Sequence, residues 1–215
     1  MSKRLTSADS PENLTARRGY HHGNLREALI EAARRLTAEK GPQGFTMIEA
    51  SRMAGVSAAA PYRHFPDQAA LVAEVRKRGF EAFGKRLREA YAAGAEPQAA
   101  FSAMGGAYLG FAREEPGYYA AMFSDPAAAA PSGPPEAGSF GMLISGVTGL
   151  EQKGVKLKVS PRLVSLHVWI MTHGVAALEA AGQLPRGPGV PSAEEILRSG
   201  VDALIRGQSL PATDA

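Results

Sequence analysis

Cysteine is absent from the sequence, which excludes disulfides and thiolate metal sites and leaves the compartment open. A secretory signal core is missing too, since Leu5 and Leu14 stand isolated among Ser, Asp and Glu. Two long uncharged stretches are Ala137 to Leu150 and Leu163 to Leu178. Both fall short of the roughly 20 residues that span a bilayer, and both contain Gly and polar residues. They read as buried helices, so a soluble, cytoplasmic protein with no membrane partner is expected. Sustained period-two alternation is also lacking; Val155 to Val159 comes nearest and is too short to found a sheet. No internal repeat is found. The five histidines (His21, His22, His64, His167, His173) include no i, i+4 pair beside a Glu. No glycine-rich phosphate loop follows a strand, and no Ser sits on a nucleophile elbow. An enzyme, a metal site or a cofactor is therefore not expected.

What is present is apolar and helical. The 215 residues are 45% hydrophobic, enough to build one large domain or a small and a medium one. The formal charge of +3 hides an asymmetry: residues 1–90 hold 16 Lys+Arg against 10 Asp+Glu, and the remainder 8 against 11. A basic front half is the electrostatic footprint of a phosphate-backbone partner, although a charge run is also what any solvated face carries.

The residues of that front half form a pattern. Asn24 with Glu27 caps a first helix whose apolar face is Leu25, Ala28, Leu29, Ala32, Ala33 and Leu36, stopped by Gly41-Pro42. Between Thr46 and Phe65 lie two short helices joined by a glycine turn. Thr46 and Glu49 make a capping box, Met47, Ile48, Met53 and Ala54 are apolar at helical spacing, and Gly55 supplies a left-handed stop. Ser57 offers a second N-cap. Such a unit is either a helix-turn-helix that lays its second helix in the DNA major groove or a plain corner between helices. A long helix is predicted over Asp67 to Ala93, then helices from Pro97 to Glu115 and from Pro116 to Phe123. A Pro/Ala/Gly loop covers Ser124 to Gly138. Three more helices follow: Phe140 to Gln152, Pro161 to Ala181, and Ser192 to Gly207, the last opened by the capping box Ser192 with Glu195. The expected fold is all-α, with about nine helices in all.

These residues resemble a TetR-family transcriptional regulator over most of the chain. The resemblance rests on Gly55-Val56-Ser57 and on Tyr62-Arg63-His64-Phe65, followed by Pro66-Asp67 and the start of the long helix. The lead-in Gly19-Tyr20-His21-His22-Gly23-Asn24-Leu25 is similar to one branch of the family. That branch has a C-terminal domain marked by a Trp, His, Gly pattern, here Trp169, His173 and Gly174. The resemblance implies a flexible basic arm over residues 1–19 and a three-helix helix-turn-helix DNA-binding domain over 20–66. A helical effector-binding and dimerisation domain then fills 67–215. The implied protein is a homodimeric regulator, in its usual mode a repressor, that binds a palindromic operator in double-stranded DNA and is released by a small, largely apolar effector. An architectural DNA binder without an effector, or a recombinase-type enzyme, is the alternative.

DNA contacts are expected from Arg17, Arg18, Thr46, Ser57, Ala58, Ala59, Ala60, Tyr62, Arg63, His64 and Gln68. Thr46 and Ser57 stand at helix N-termini, where phosphate is favoured. Tyr62 and His64 resemble the family's backbone-contacting pair, which fixes register and reads no sequence. Ala58-Ala59-Ala60 offers thymine methyls only a methyl, so Arg63 is the side chain here built for a guanine edge, with a phosphate contact as its other reading. Gln68 stands where many members carry Lys, and Pro61 costs the third helix an amide and clashes with Ser57 as N-cap. Phe65 is expected in the core. Arg17 and Arg18 read either as an arm that enters the minor groove or as a disordered basic tail.

The resemblance also implies an effector pocket lined by Phe101, Met104, Tyr108, Phe111, Tyr118, Met122, Met142, Trp169 and His173, though each of these residue types is also ordinary core. Dimerisation through the last two helices is implied for Leu163, Leu166, Ile170, Ala177, Ile196, Leu197, Val201, Leu204 and Ile205.

Overall fold

The structure, a computed structural model, describes residues 25–123, 138–185 and 187–208. Arg17, Arg18, the Asn24 cap and nearly all of the expected Ser124 to Gly138 loop lie outside the described residues. Among the described residues the regular elements are eight α-helices and one 3₁₀ turn, with no strand. The helices are α1 (Leu25–Lys40), α2 (Met47–Met53), α3 (Gln68–Ala93), α4 (Pro97–Glu114), α5 (Pro116–Phe123), α6 (Ser139–Gln152), α7 (Pro161–Ala180) and α8 (Ala193–Gln208). The 3₁₀ turn, Pro61–Arg63, lies between α2 and α3.

Local chemistry sets the helix ends. Asp67 caps α3 by accepting from the Ala70 amide at 2.8 Å. Proline opens α4, α5 and α7, at the one helical position where a missing N–H costs nothing. At α8 the Glu195 carboxylate accepts from the Ser192 amide at 2.7 Å, while the Ser192 hydroxyl accepts from the Glu195 amide at 3.2 Å.

Two hydrophobic cores result. The first gathers Leu29, Ala33 and Leu36 of α1, Phe45, Met47 and Ala50 around α2, Phe65, and Leu71 and Val75 of α3. The second gathers Phe83 and Leu87 of α3 with Phe101, Leu109, Val147, Val168, Leu197 and Val201 of the later helices. Helix α3 thus crosses from one core to the other within a single unbroken rod. Helix α5 also serves both, with Ala121 in the first core and Met122 in the second. Charged pairs brace the crossing. The Arg78 guanidinium reaches both carboxylate oxygens of Glu27 on α1 and the Glu74 carboxylate one turn back. Arg34 of α1 holds Glu31 and, at the junction between α4 and α5, Glu115, each at 2.8 Å.

Helix α7 is long and apolar enough to cross a membrane by length and composition, a test that core helices of soluble proteins also meet. Its Val164, Val168, Val175 and Ala176 are buried against the second core, whereas Leu163, Ile170 and Leu178 are exposed.

Candidate functional site

The turn after α2 closes as a full C-terminal cap. The Val56 amide donates to the Ser51 carbonyl at 3.0 Å and the Gly55 amide to that of Arg52 at 3.1 Å. This geometry puts Gly55 at φ +71°, the left-handed region that glycine enters without cost. The chain then presents residues 57–59 and 62–64 to solvent.

This segment is not the α-helix expected from the sequence. Residues 58–60 form a turn and Pro61–Arg63 a 3₁₀ turn. The cause is Pro61. It has no N–H to give to the Ser57 carbonyl, so that carbonyl accepts instead from the Ala60 amide at 3.0 Å. Ala60, not Ser57, stands at the cap position, and no side chain caps it. The Pro61 carbonyl accepts from both His64, at 2.8 Å, and Phe65, at 2.9 Å, which tightens the last turn. Pro61 and Phe65 are buried beneath this turn, while Tyr62, Arg63 and His64 project outward. Tyr62 is 57% exposed, far more than a packed tyrosine.

Beside it stands the N-terminus of α2. Here the Glu49 carboxylate accepts from the Thr46 amide at 2.8 Å and the Thr46 hydroxyl at 3.0 Å, and it also receives Lys40 Nζ at 2.6 Å. These partners hold the Glu49 carboxyl down at about 2, Lys40 being the largest cause. The Thr46 hydroxyl and amide are therefore already bonded, and the free donors at this helix end are the Met47 and Ile48 amides. Ile48, at helical spacing with its apolar neighbours in the sequence, is 58% exposed on the same end, as is Met53 at 42% further along. The Gln68 side chain turns inward, its Nε2 donating to the Pro42 carbonyl at 3.0 Å and tying the α1–α2 loop to the head of α3. The exposed residues of this segment are Ser57, Ala58, Ala59, Tyr62, Arg63 and His64.

Beside the second core lies a half-open cavity of about 720 Å³, inside the range of small-molecule sites. Phe101, Met104, Tyr108 and Trp169 line it, as expected from the sequence. The other expected residues lie elsewhere. Phe111 is sealed beside Phe83, their ring centroids 5.2 Å apart, and Met122 is buried under Gly79. Tyr118 lies under the Arg34 guanidinium at 5.4 Å, and Met142 packs half-buried against the core. His173 stands behind the wall. Its Nδ1 lies 2.9 Å from the Tyr108 hydroxyl and 3.0 Å from that of Tyr119, and its ring contacts Trp169 and Phe123. Burial lowers the His173 pKa from its ordinary 6.5 and raises those of both tyrosines.

Two groups of lining residues carry no apolar signal in the sequence. Ala99, Ser102, Ala103 and Gly106 recur at one-face spacing along α4 and give the cavity a wall of nearly bare backbone. Arg198, Asp202 and Arg206 recur at four-residue spacing along α8, with Leu197, Val201 and Ile205 lining beside them. Leu197 and Val201 are thus buried in the protomer's own core and offer no surface to a partner. Leu163, Ile170 and Ala177 are exposed along α7 with Leu178, while Leu166, Ile196, Leu204 and Ile205 are half-buried. No group of three or more metal-ligating side chains occurs among the described residues.

Residues 29–75 match the family described as bacterial regulatory proteins, tetR family, and residues 101–204 the tetracyclin repressor-like C-terminal domain. No curated protein matches the chain. Among solved structures, a protein with unknown function from Rhodococcus sp. RHA1 is 31% identical, with a TM-score of 0.73 over 89% of this chain and 98% of that one. The TetR family transcriptional regulator PfmR from Thermus thermophilus is 20% identical, with a TM-score of 0.64 over 83% and 97%. The ketosteroid transcriptional regulator KstR2 of Mycobacterium tuberculosis is 16% identical, with a TM-score of 0.61 over 86% and 95%. The last two likenesses are of fold.

Proposed function

The chain belongs to the TetR family of DNA-binding bacterial regulators, and from that premise we propose that it is a ligand-gated repressor. As a homodimer it binds a palindromic operator, and a small, largely apolar effector entering the 720 Å³ cavity releases it. The observation that carries this reading is the continuity of α3, whose residues Leu71 and Val75 belong to the core beneath the DNA-facing turn and Phe83 to the core around the cavity. A ligand that changes how the second core packs thereby changes the angle at which the first is held. Its effect on operator affinity is bounded by its differential affinity for the two states.

Dimerisation is assigned to the exposed apolar stripe of α7, Leu163, Ile170, Ala177 and Leu178. Two copies so joined place two reading turns on half-sites about 34–36 Å apart or a multiple of that. Ser57, Tyr62, His64 and the free α2 amides, which the Thr46 cap positions, serve the phosphates; Ala58, Ala59, Ala60 and Arg63 face the base edges. Gln68 contributes by holding the α1–α2 loop. The protein works where the genome is, in the cytoplasm.

Footprinting on fragments of the source genome, with and without lipophilic extracts, tests this. Protection of one or a few palindromes that is lost on adding a compound is expected. Continuous coating of DNA would indicate an architectural protein, and unchanged affinity with every compound would remove the ligand gate.

A further inference from the structure

We infer that the cavity takes a lipophilic carboxylate, a molecule with an apolar body and one anionic head; this deepens the effector reading and rests on it. The apolar body follows from the walls. Phe101 and Met104 of α4, Phe140 and Leu143 of α6 and Trp169 of α7 line the cavity together with the small residues of α4, where a Cβ on Gly106 would meet nothing within 4 Å. Two other helical glycines of this region have packing reasons, since a Cβ at Gly146 would strike Phe101 and one at Gly105 would press on Leu197; Gly174 and Gly207 are as open as Gly106 but do not line the cavity. Gly106 has no packing reason. A glycine inside a helix costs about 0.5–1 kcal/mol relative to alanine. Its place on the cavity wall gives that cost a use, as room for a ligand.

The sign of the head follows from the charges on the wall. Glu194 is already bound to Arg113 on α4. Of the remaining charged lining residues, Arg198 and Arg206 stand against Asp202 and Glu96, and none of the four is in an ion pair among the described residues. Arg198 feels Glu195 only at a distance. Among the described lining residues the side-chain charges therefore balance, and the backbone decides. The first turns of α4 (Gln98, Ala99) and of α6 (Ser139, Phe140) both line the cavity, and neither helix has a side-chain cap. Each such end acts as roughly half a positive charge, with amides free to donate. Two of them tip the field toward an anion, with Arg198 and Arg206 as its side-chain partners.

Trp169 is the single tryptophan of the chain and lines the cavity, so its emission reports occupancy. The full-length protein is titrated with dodecanoate, dodecan-1-ol and dodecylammonium below their micelle concentrations. Dodecanoate is expected to bind about tenfold tighter than the alcohol, and dodecylammonium to bind weakest. The double variant Arg198→Ala, Arg206→Ala should erase the preference of acid over alcohol, with its thermal midpoint showing that it folds. Gly106→Leu should lose both ligands by filling their space. Equal binding of acid and alcohol, or tightest binding of the ammonium, overturns the anionic head while leaving the cavity reading intact. If none of the three perturbs Trp169 while the protein still binds its operator, the cavity reading falls and this inference falls with it.

Discussion

A Cβ on Gly117 would collide with the backbone carbonyl oxygen of Arg34, so α5 lies against α1 at a distance that no other residue permits. Backbone cannot move aside as a side-chain tip can. Gly117→Ala should therefore force the two helices apart and cost about 1–3 kcal/mol by overpacking. Gly106→Ala, whose methyl enters open space, should instead stabilise by about 0.5–1 kcal/mol. Thermal unfolding of the two variants beside the parent checks both signs at once.

Arg63 projects from the reading turn with no ion pair among the described residues. If it reads a guanine edge, Arg63→Ala relaxes the preference at one base pair per half-site, at a cost of about 1–3 kcal/mol for that base. Selection of binding sites from a randomised pool, run with parent and variant, distinguishes this from the uniform weakening and shallower salt dependence of a lost phosphate contact.

Thr46 holds the capping box of α2. Its replacement by Ala should cost about 1 kcal/mol of stability. The free Met47 and Ile48 amides remain, so operator affinity should fall less than for Tyr62→Ala, which removes an exposed side chain and leaves the fold alone. Denaturant unfolding and operator binding on the same preparations separate the two effects.

His173 gives the protein a pH-dependent element. Burial lowers its pKa below the ordinary 6.5, so the unfolded chain binds the proton more readily than the folded one. Stability from this group is complete above pH 6.5 and is lost as the pH falls from there toward the folded pKa. Protonation leaves the Nδ1 shared by Tyr108 and Tyr119 only the donor role. His173→Gln should flatten the stability profile as the pH falls below 6.5. The separate acid loss from Glu31, held at about 2 by Arg34, should be unchanged at lower pH.

Most helix ends were legible because single residues mark them. Thr46 with Glu49, Asp67, Ser192 with Glu195, and the prolines at 97, 116 and 161 each satisfy or remove an orphan amide, a local event that needs no tertiary information. The third helix was expected from its flanks and does not form, since Pro61 diverts the Ser57 carbonyl to Ala60. That conflict could be seen in the sequence, but its resolution is a matter of backbone geometry. The facing of α8 could not be seen, because Leu197 and Val201 are as apolar as any dimer contact and only packing sends them inward. The α4 wall left no signal at all. Ala99, Ala103 and Gly106 matter for the atoms they lack, and hydrophobic periodicity counts only atoms that are present.

The sharing of α3 and α5 between the two cores bears on how such regulators recombine. A DNA reader cut after Phe65 would leave behind Leu71, Val75 and Ala121, three of the residues that close its own core. A chimaera that swaps reading heads between relatives must therefore carry α3 to Gly79 and either import α5 or match its Gly117 against Arg34. The portable unit is discontinuous in the chain, and exchange between genes at a single breakpoint would break it.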